Sequence, residues 1–307
     1  MRISFSAFDC YNRCPAQYKL NYIDRVSVPK KIELEFGSLM HAVVEFALKR
    51  DPIVPPFEEL IKFFDENFKK ISFSSELQKN QYSSVGKEMI RVFHDSLTPG
   101  LRSTIATEKR FYIDLNEKHA LSGVIDRIDK LPFGPFEVID YKTNFKPKTQ
   151  EEVDRDKQLG IYKIAVKHFW PEAEDVRLSL FFLRTNQKLT TKRVDSELED
   201  LKKEIIETCE KIQTDTEFMP KKNPLCGWCD YKNLCPLMEQ RVASSDQQTA
   251  NSNIDDIVEQ YLEAHEVIRT LEPKIHTHFD SEKIEAFQHK NGVVSRSKNG
   301  KFTIRKS

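Results

Sequence analysis

Net charge is the first thing this chain lacks. Its 48 Lys and Arg are balanced by 48 Asp and Glu, for a formal charge of zero over 307 residues. A global basic field that draws in nucleic acid is therefore absent, and affinity for phosphates must come from local patches or a bound cation. No apolar run approaches the ~20 residues that a membrane helix needs. The opening Met1-Arg-Ile-Ser-Phe-Ser-Ala-Phe-Asp9 has neither the apolar segment nor the cleavage site of a secretory leader. An intracellular, cytoplasmic protein with no membrane association is expected. In that reducing setting, six cysteines serve as ligands or free thiols rather than as disulfides. Internal repeats are lacking as well.

What is present is a change of period along the chain. Ser4 and Ser6 precede a short helical stretch to about Cys14, and Pro15 opens a second one running to Ile23. From Glu33 to Ser96 the spacing is helical, with Phe36, Leu39, Met40, Val43, Val44 and Ala47 as an inward stripe. Residues 51–56 interrupt it as a loop, and Pro99-Gly100 ends it. Three strands follow, over residues 108–115, 121–128 and 136–143, then one helix over 151–169. Two more strands (175–184 and 188–194) and a helix over 196–213 complete an α/β body with an N-terminal helical region. The polar stretch 243–253 reads as a linker between a body of residues 1–242 and an appendage of residues 254–307. That appendage is expected to be a small α+β unit: a helix from Ile254 to about Leu271, ended by Pro273, and a β-meander turning at Asn291-Gly292 and Asn299-Gly300.

Chemistry concentrates in two adjacent strands. Gly123-Val-Ile-Asp126-Arg127 is followed by Glu137-Val-Ile-Asp140-Tyr141-Lys142. Neighbouring strands can hold Asp126 and Asp140 rigidly on one side of a metal ion, while alternation sends Tyr141 to the opposite face and returns Lys142 to the face of Asp140. Hard oxygen ligands suit Mg²⁺ or Mn²⁺, which retain waters and bind phosphate oxygens. Lys142 is placed to orient an attacking water or to offset charge growing on phosphorus. A second constellation, Cys226-x2-Cys229-x5-Cys235-Pro236 with Cys14-Pro15 far upstream, is a soft-metal clamp across the chain. By spacing alone it accepts either Zn²⁺ or an iron–sulfur cluster.

Asp126…Asp140-x-Lys142 resembles the PD-(D/E)xK nuclease superfamily. The words around it look like the superfamily's RecB-type exonuclease branch, which includes the AddB nuclease domain and the CRISPR-associated RecB-like exonucleases. Three further stretches are similar to that branch: Gly37-Ser-Leu-Met-His41, Gln158-Leu-Gly-Ile-Tyr162, and Ser4-Phe-Ser6…Tyr11-Asn-Arg-Cys14-Pro15…Tyr18. The resemblance covers about Ile3 to Pro236. It implies a restriction-endonuclease-like core, a central mixed sheet flanked by helices. It further implies a metal-dependent DNA exonuclease with Asp126, Asp140 and Lys142 as catalytic residues. His41 and the Tyr141 carbonyl would join Asp126 and Asp140 around Mg²⁺ or Mn²⁺, and Gln158 and Tyr162 would contact the substrate. Also implied is a 4Fe-4S cluster on Cys14, Cys226, Cys229 and Cys235. Single-stranded or resected ends would be the substrates, in recombination, repair, phage DNA metabolism or CRISPR adaptation. A non-catalytic iron–sulfur DNA-binding subunit and an endonuclease of the same superfamily are the alternatives.

Four residues outside these motifs also bear on the site and the clamp. Glu108 stands equally for a water-mediated place near the metal and for a plain strand end. Glu45 is expected as a solvated charge and Cys209 as a buried apolar filler, while Cys10 could replace Cys14 as the distant ligand. The lysines and arginines of residues 290–306 could contact phosphates or defend a sheet edge, and the appendage could bind a protein partner.

Overall fold

Branched and aromatic residues build one mixed sheet from β1 (Arg2–Ser4), β2 (Ser103–Asp114), β3 (Ala120–Lys130), β4 (Phe136–Lys142), β5 (Val176–Phe182) and β6 (Gln187–Thr191). Its order is β1-β3-β4-β5-β6, with β2 also paired to β3. The β1–β3 and β4–β5 pairs are parallel and the rest antiparallel. The structure is a computed structural model. It describes residues 1–50, 53–97, 103–130, 134–237, 271–282, 284–289, 292–296 and 302–306. Two units emerge, Met1–Cys235 and Pro236–Ser307.

Strand alternation feeds two cores, one on each face of the sheet. Val138 of β4 and Leu178, Leu180 and Phe182 of β5 pack against α1 (Phe5–Arg13), α7 (Lys157–Phe169) and α8 (Asp195–Thr214). Ile139, Tyr141 and Phe181 point the other way, into α3 (Ile32–Leu48), α4 (Phe57–Phe68) and α5 (Glu76–Asp95). This three-layer α/β arrangement, a central mixed sheet flanked by helices, is the architecture expected from the sequence. The α4–α5 approach is close: a Cβ added at Gly86 would lie 2.5 Å from Phe64 Cζ and 3.2 Å from Phe36 Cε2. Gly86→Leu should therefore cost about 1–3 kcal/mol by overpacking. Urea unfolding would show it as a lower midpoint at constant slope, and an unmoved midpoint would refute the close approach.

One feature of the register opens the site. Along one edge β3 pairs with β2 throughout, but its other edge is divided. Residues 120–122 pair with β1 and 127–130 pair with β4. Residues 123–126 have no strand partner on that edge, so the carboxylate of Asp126 lies where β3 and β4 part.

Several elements differ from the sequence expectation. The three-residue strand β1 was not expected, and Ser4 caps α1 by accepting the Ala7 N–H. The helix expected over residues 15–23 is α2 (Pro15–Tyr18) followed by a π-helical turn, Lys19–Ile23. The single helix expected over 151–169 is two, α6 (Gln150–Asp154) and α7. Asp156 breaks it by accepting the Gln158 and Leu159 N–H groups as an N-cap. Residues 69–75 separate α4 from α5, where unbroken helix was expected. The expected stop at Pro99-Gly100, the linker and residues 254–270 lie outside the described residues. Within the second unit, residues 271–281 are helical, so Pro273 does not end a helix there. Strands β7 (Ala286–His289), β8 (Gly292–Arg296) and β9 (Phe302–Lys306) form the expected antiparallel meander.

Candidate active site

The divided edge of β3 sets the geometry. Instead of meeting a strand carbonyl, the Tyr141 N–H donates to Asp126 Oδ2 at 2.8 Å. The Lys142 carbonyl accepts from Leu183 beyond β5, so alternation turns both peptide groups of Tyr141 toward β3. The Tyr141 ring is buried in the opposite core, and its hydroxyl accepts from Arg127 at 3.1 Å. Arg127 in turn grips Asp129 with two hydrogen bonds of 2.6 and 2.5 Å. Asp129 thus orients the Arg127 guanidinium, whose hydrogen bond to Tyr141 links β3 to β4.

From α3, His41 brings Nδ1 to 3.3 Å from Asp126 Oδ2. Glu108 arrives from β2. It lies between the pairs Thr107↔Arg127 and Lys109↔Ile125, and so opposite Asp126. Its backbone has φ 45°, a left-handed conformation costly for a residue with a Cβ and concentrated at functional sites. Among the described residues, His41, Glu108 and Asp126 form a cluster whose ligand atoms all lie within 4.8 Å of one another. They open onto a cleft of about 510 Å³ that Gly37, Glu45 and Thr143 also line.

Beside this trio a second group closes on itself. Lys142 Nζ lies 2.6 Å from Asp140 Oδ2 and donates to Gln158 Oε1 at 3.0 Å. Gln158 Nε2 donates to the Tyr162 hydroxyl at 2.7 Å, and that hydroxyl donates to Asp140 Oδ1 at 3.1 Å. The four residues thus form a ring of polar contacts joining β4 to α7. Asp156 caps the start of α7 two residues before Gln158 and so fixes where that amide stands.

Titration follows from burial and charge. Burial pushes the Asp140 carboxyl up against the pull of Lys142, and the Asp126 charge adds to the rise. Burial alone would lower Lys142, but the Asp140 carboxylate outweighs it and holds the ammonium above its ordinary range. Lys142 is therefore held as a cation. Burial raises Glu108, with Asp126 adding to it. For His41 burial works downward, yet the hydrogen bond to Asp126 and the charges of Asp126, Asp140 and Glu108 lift it overall.

Of the six residues singled out in the sequence, His41 and Asp126 line the cleft with Glu108, and Asp140, Lys142, Gln158 and Tyr162 form the ring joined to it through the Tyr141 N–H on Asp126. Asp140 stands outside the His41–Glu108–Asp126 trio, bound into the ring instead. Glu108, left open by the sequence, is a member of the trio. These donors fit a hard divalent cation: two carboxylates and an imidazole converge on one cleft. Asp140 Oδ2 is buried and touches Lys142 without hydrogen-bond geometry, leaving acceptor capacity unused.

The cysteine segment docks on the N-terminal helices. The Lys221 N–H lies 3.5 Å from Cys14 Sγ, and the Asn223 N–H 3.3 Å from Cys226 Sγ. Asn223 Nδ2 reaches the Arg13 carbonyl, the Tyr231 hydroxyl donates to Asn21, and Lys31 pairs with Asp230 at 2.7 Å. Cys14 and Cys235 are electrostatic neighbours of Cys229, whose thiol burial pushes up. Cys10 is buried, its thiol pushed up to about 11, and Cys209 lies in the core.

A mixed α/β sheet with an acidic, histidine-bearing cleft and a strand lysine defines the class, and comparison with known proteins gives it its family. Residues 2–236 match the model of the PD-(D/E)XK nuclease superfamily, and the chain belongs to that superfamily. Its members use divalent metals. Over 153 residues the chain is 25% identical to an ATP-dependent helicase/deoxyribonuclease subunit of Streptococcus pyogenes serotype M3. It is 23% identical, over an equal length, to the like-named protein of Streptococcus uberis. Those stretches are 47% of this chain but 14% of each relative, so the chain spans a small part of their length. A solved structure of a protein inferred to be an exonuclease, from Eubacterium rectale, aligns at 14% identity and a TM-score of 0.48, over 75% of this chain and 87% of that one. Among the described residues no helix is long and apolar enough to cross a membrane.

Proposed function

We propose that this protein is a metal-dependent DNA exonuclease. The observation that carries the reading is the closed ring Asp140–Lys142–Gln158–Tyr162 standing against the His41–Glu108–Asp126 trio. A structural lysine has no need of a neutral amide and a phenol to fix its ammonium beside a second carboxylate. His41, Asp126 and Asp140 would hold Mg²⁺ or Mn²⁺, with Glu108 and the Tyr141 carbonyl at hand. When bound, such a cation lowers the pKa of coordinated water and offsets charge on a phosphate oxygen. Lys142, fixed by Asp140 and Gln158, orients the attacking water and neutralises charge on phosphorus. Tyr162 keeps its proton, because burial and the Asp140 charge raise it well above its ordinary value. It therefore holds Asp140 as a donor, and with Gln158 it forms the wall against which a strand is seated.

The streptococcal relatives are named as deoxyribonuclease subunits, which supports DNA as substrate and a role beside a protein partner. End processing in recombination, repair, phage DNA metabolism or CRISPR adaptation fits that chemistry. A 4Fe-4S cluster on Cys14, Cys226, Cys229 and Cys235 is part of the reading. Its support is the nearness of Cys14 and Cys235 to Cys229, and the N–H groups directed at Cys14 and Cys226.

Digestion of end-labelled linear single- and double-stranded DNA, with circular DNA alongside, tests the reading. Linear DNA should shorten with Mn²⁺ or Mg²⁺ and remain intact with EDTA. Cutting of circles would replace the exonuclease with an endonuclease, and intact DNA throughout would leave a binding subunit. Activity should also fall as pH drops below neutral. A raised pKa means His41, Glu108 and Asp140 hold their protons at higher pH, and protons compete with the cation. A rate that climbs on acidification would contradict this ligand set.

A further inference from the structure

Phe145 is 77% exposed, the most open of the large apolar side chains described. Single exposed apolar residues are ordinary, but the setting of this one is not. It stands three residues beyond Lys142, within about 10 Å of chain reach, and Thr143 between them lines the acidic cleft. The Arg184 guanidinium sits over its ring, 5.3 Å from the centroid. Arg184 leaves the end of β5 two residues past Phe182, the partner of Lys142 in the parallel pair. Among the described residues no carboxylate forms a salt bridge with Arg184, so its charge is available to a phosphate. The loop that carries the ring is fixed as well. Asn144 Nδ2 donates to the Lys146 carbonyl at 2.6 Å, and Lys148 pairs with buried Asp156 at 2.6 Å, the carboxylate that starts α7. The aromatic ring is thus held out to solvent between two anchored lysines, two residues along the chain from Thr143 in the wall of an acidic cleft.

We propose that Phe145 and Arg184 form a base-stacking platform that seats an unpaired nucleotide beside the reacting phosphate. The proposal rests on the nuclease reading and adds to it two residues that position the strand. Every base has a π-face, so a phenyl ring accepts any sequence, and the guanidinium adds a cation to the same stack. A base paired in a duplex has that face covered and cannot use the platform. Lys146 and Arg184 supply positive charge for the backbone that the acidic cleft lacks.

The test measures binding of the full chain by fluorescence anisotropy, with Lys142→Ala as the inert background. The probes are a fluorescein-labelled oligothymidylate and an abasic oligomer of equal length. Adding Phe145→Ala should raise Kd for the oligothymidylate roughly tenfold or more and leave Kd for the abasic oligomer unchanged. Equal loss on both oligomers, or loss on neither, overturns the platform. Phe145→Trp supplies an independent readout. Its emission, taken as the difference from the parent protein, should be quenched by the oligothymidylate and not by the abasic strand, and equal responses overturn the stacking. Failure of the nuclease reading would look different: with Mn²⁺, the protein with Lys142 intact would leave labelled oligothymidylate whole, whatever the binding results.

Discussion

Lys142→Ala is expected to slow metal-supported DNA hydrolysis by at least on the order of 10²–10³-fold, the usual effect of deleting one preorganised charge at a reacting centre. Two contacts make the loss large. The ammonium is held by Asp140 and Gln158 together, so no water or neighbouring side chain can stand in its place with equal orientation. It also offsets the buried Asp140 carboxylate, whose remaining partner is Tyr162. The variant should therefore be less stable as well as slow, and the rate must be read at a temperature where circular dichroism shows it folded. Tyr162→Phe isolates the ring from the ammonium: it keeps the packing, removes the hydroxyl's two hydrogen bonds, to Asp140 and from Gln158, and should cost about tenfold. A folded Lys142→Ala protein that digests DNA at the parental rate would remove Lys142 from the mechanism.

Legibility in the sequence followed physical range. Asp126, Asp140 and Lys142 were readable because a strand has period two, so the faces of β3 and β4 can be assigned without coordinates. Gln158 and Tyr162 were readable because four residues make about one helical turn. Glu108 was not, although the signal exists. Counting back along the antiparallel hairpin from the pair Asp114↔Ala120 brings Glu108 opposite Asp126. That count needs the register, which one sequence does not supply. The left-handed backbone of Glu108 was equally invisible, since nothing local favours it for a glutamate. Strand β1 was missed because three residues carry too little pattern; its partner lies more than a hundred residues away in β3. The break before α7 was missed for the opposite reason. Apolar spacing continues through residues 151–169, and only the capping role of Asp156 divides it. The burial of Arg127 and Asp129 was not legible either, because it depends on the layer packed over their face of the sheet.

Cys229→Ser should lose iron and lower the stability of the Met1–Cys235 unit together. The cluster proposed here would join Cys14 to Cys235 across roughly 220 residues, and the chain-entropy relation for a cross-link of that span gives about 5 kcal/mol. Native domains have about 5–15 kcal/mol in all. Other contacts also tie these segments: Lys221 Nζ to the Asn12 carbonyl, Asn223 to Arg13, Tyr231 to Asn21, and Lys31 to Asp230. They are exposed or half-buried and individually weak, so they limit the loss without replacing the cross-link. The destabilisation should thus reach several kcal/mol, visible as a lower denaturant midpoint and a colourless protein. Cys10→Ala serves as the control. Cys10 is buried within α1 and is not one of the four proposed ligands. That variant should keep its iron. Iron bound in full by Cys229→Ser, with an unmoved midpoint, would show that this cysteine holds no cluster. Loss of zinc in place of iron would keep the cross-link and change its metal.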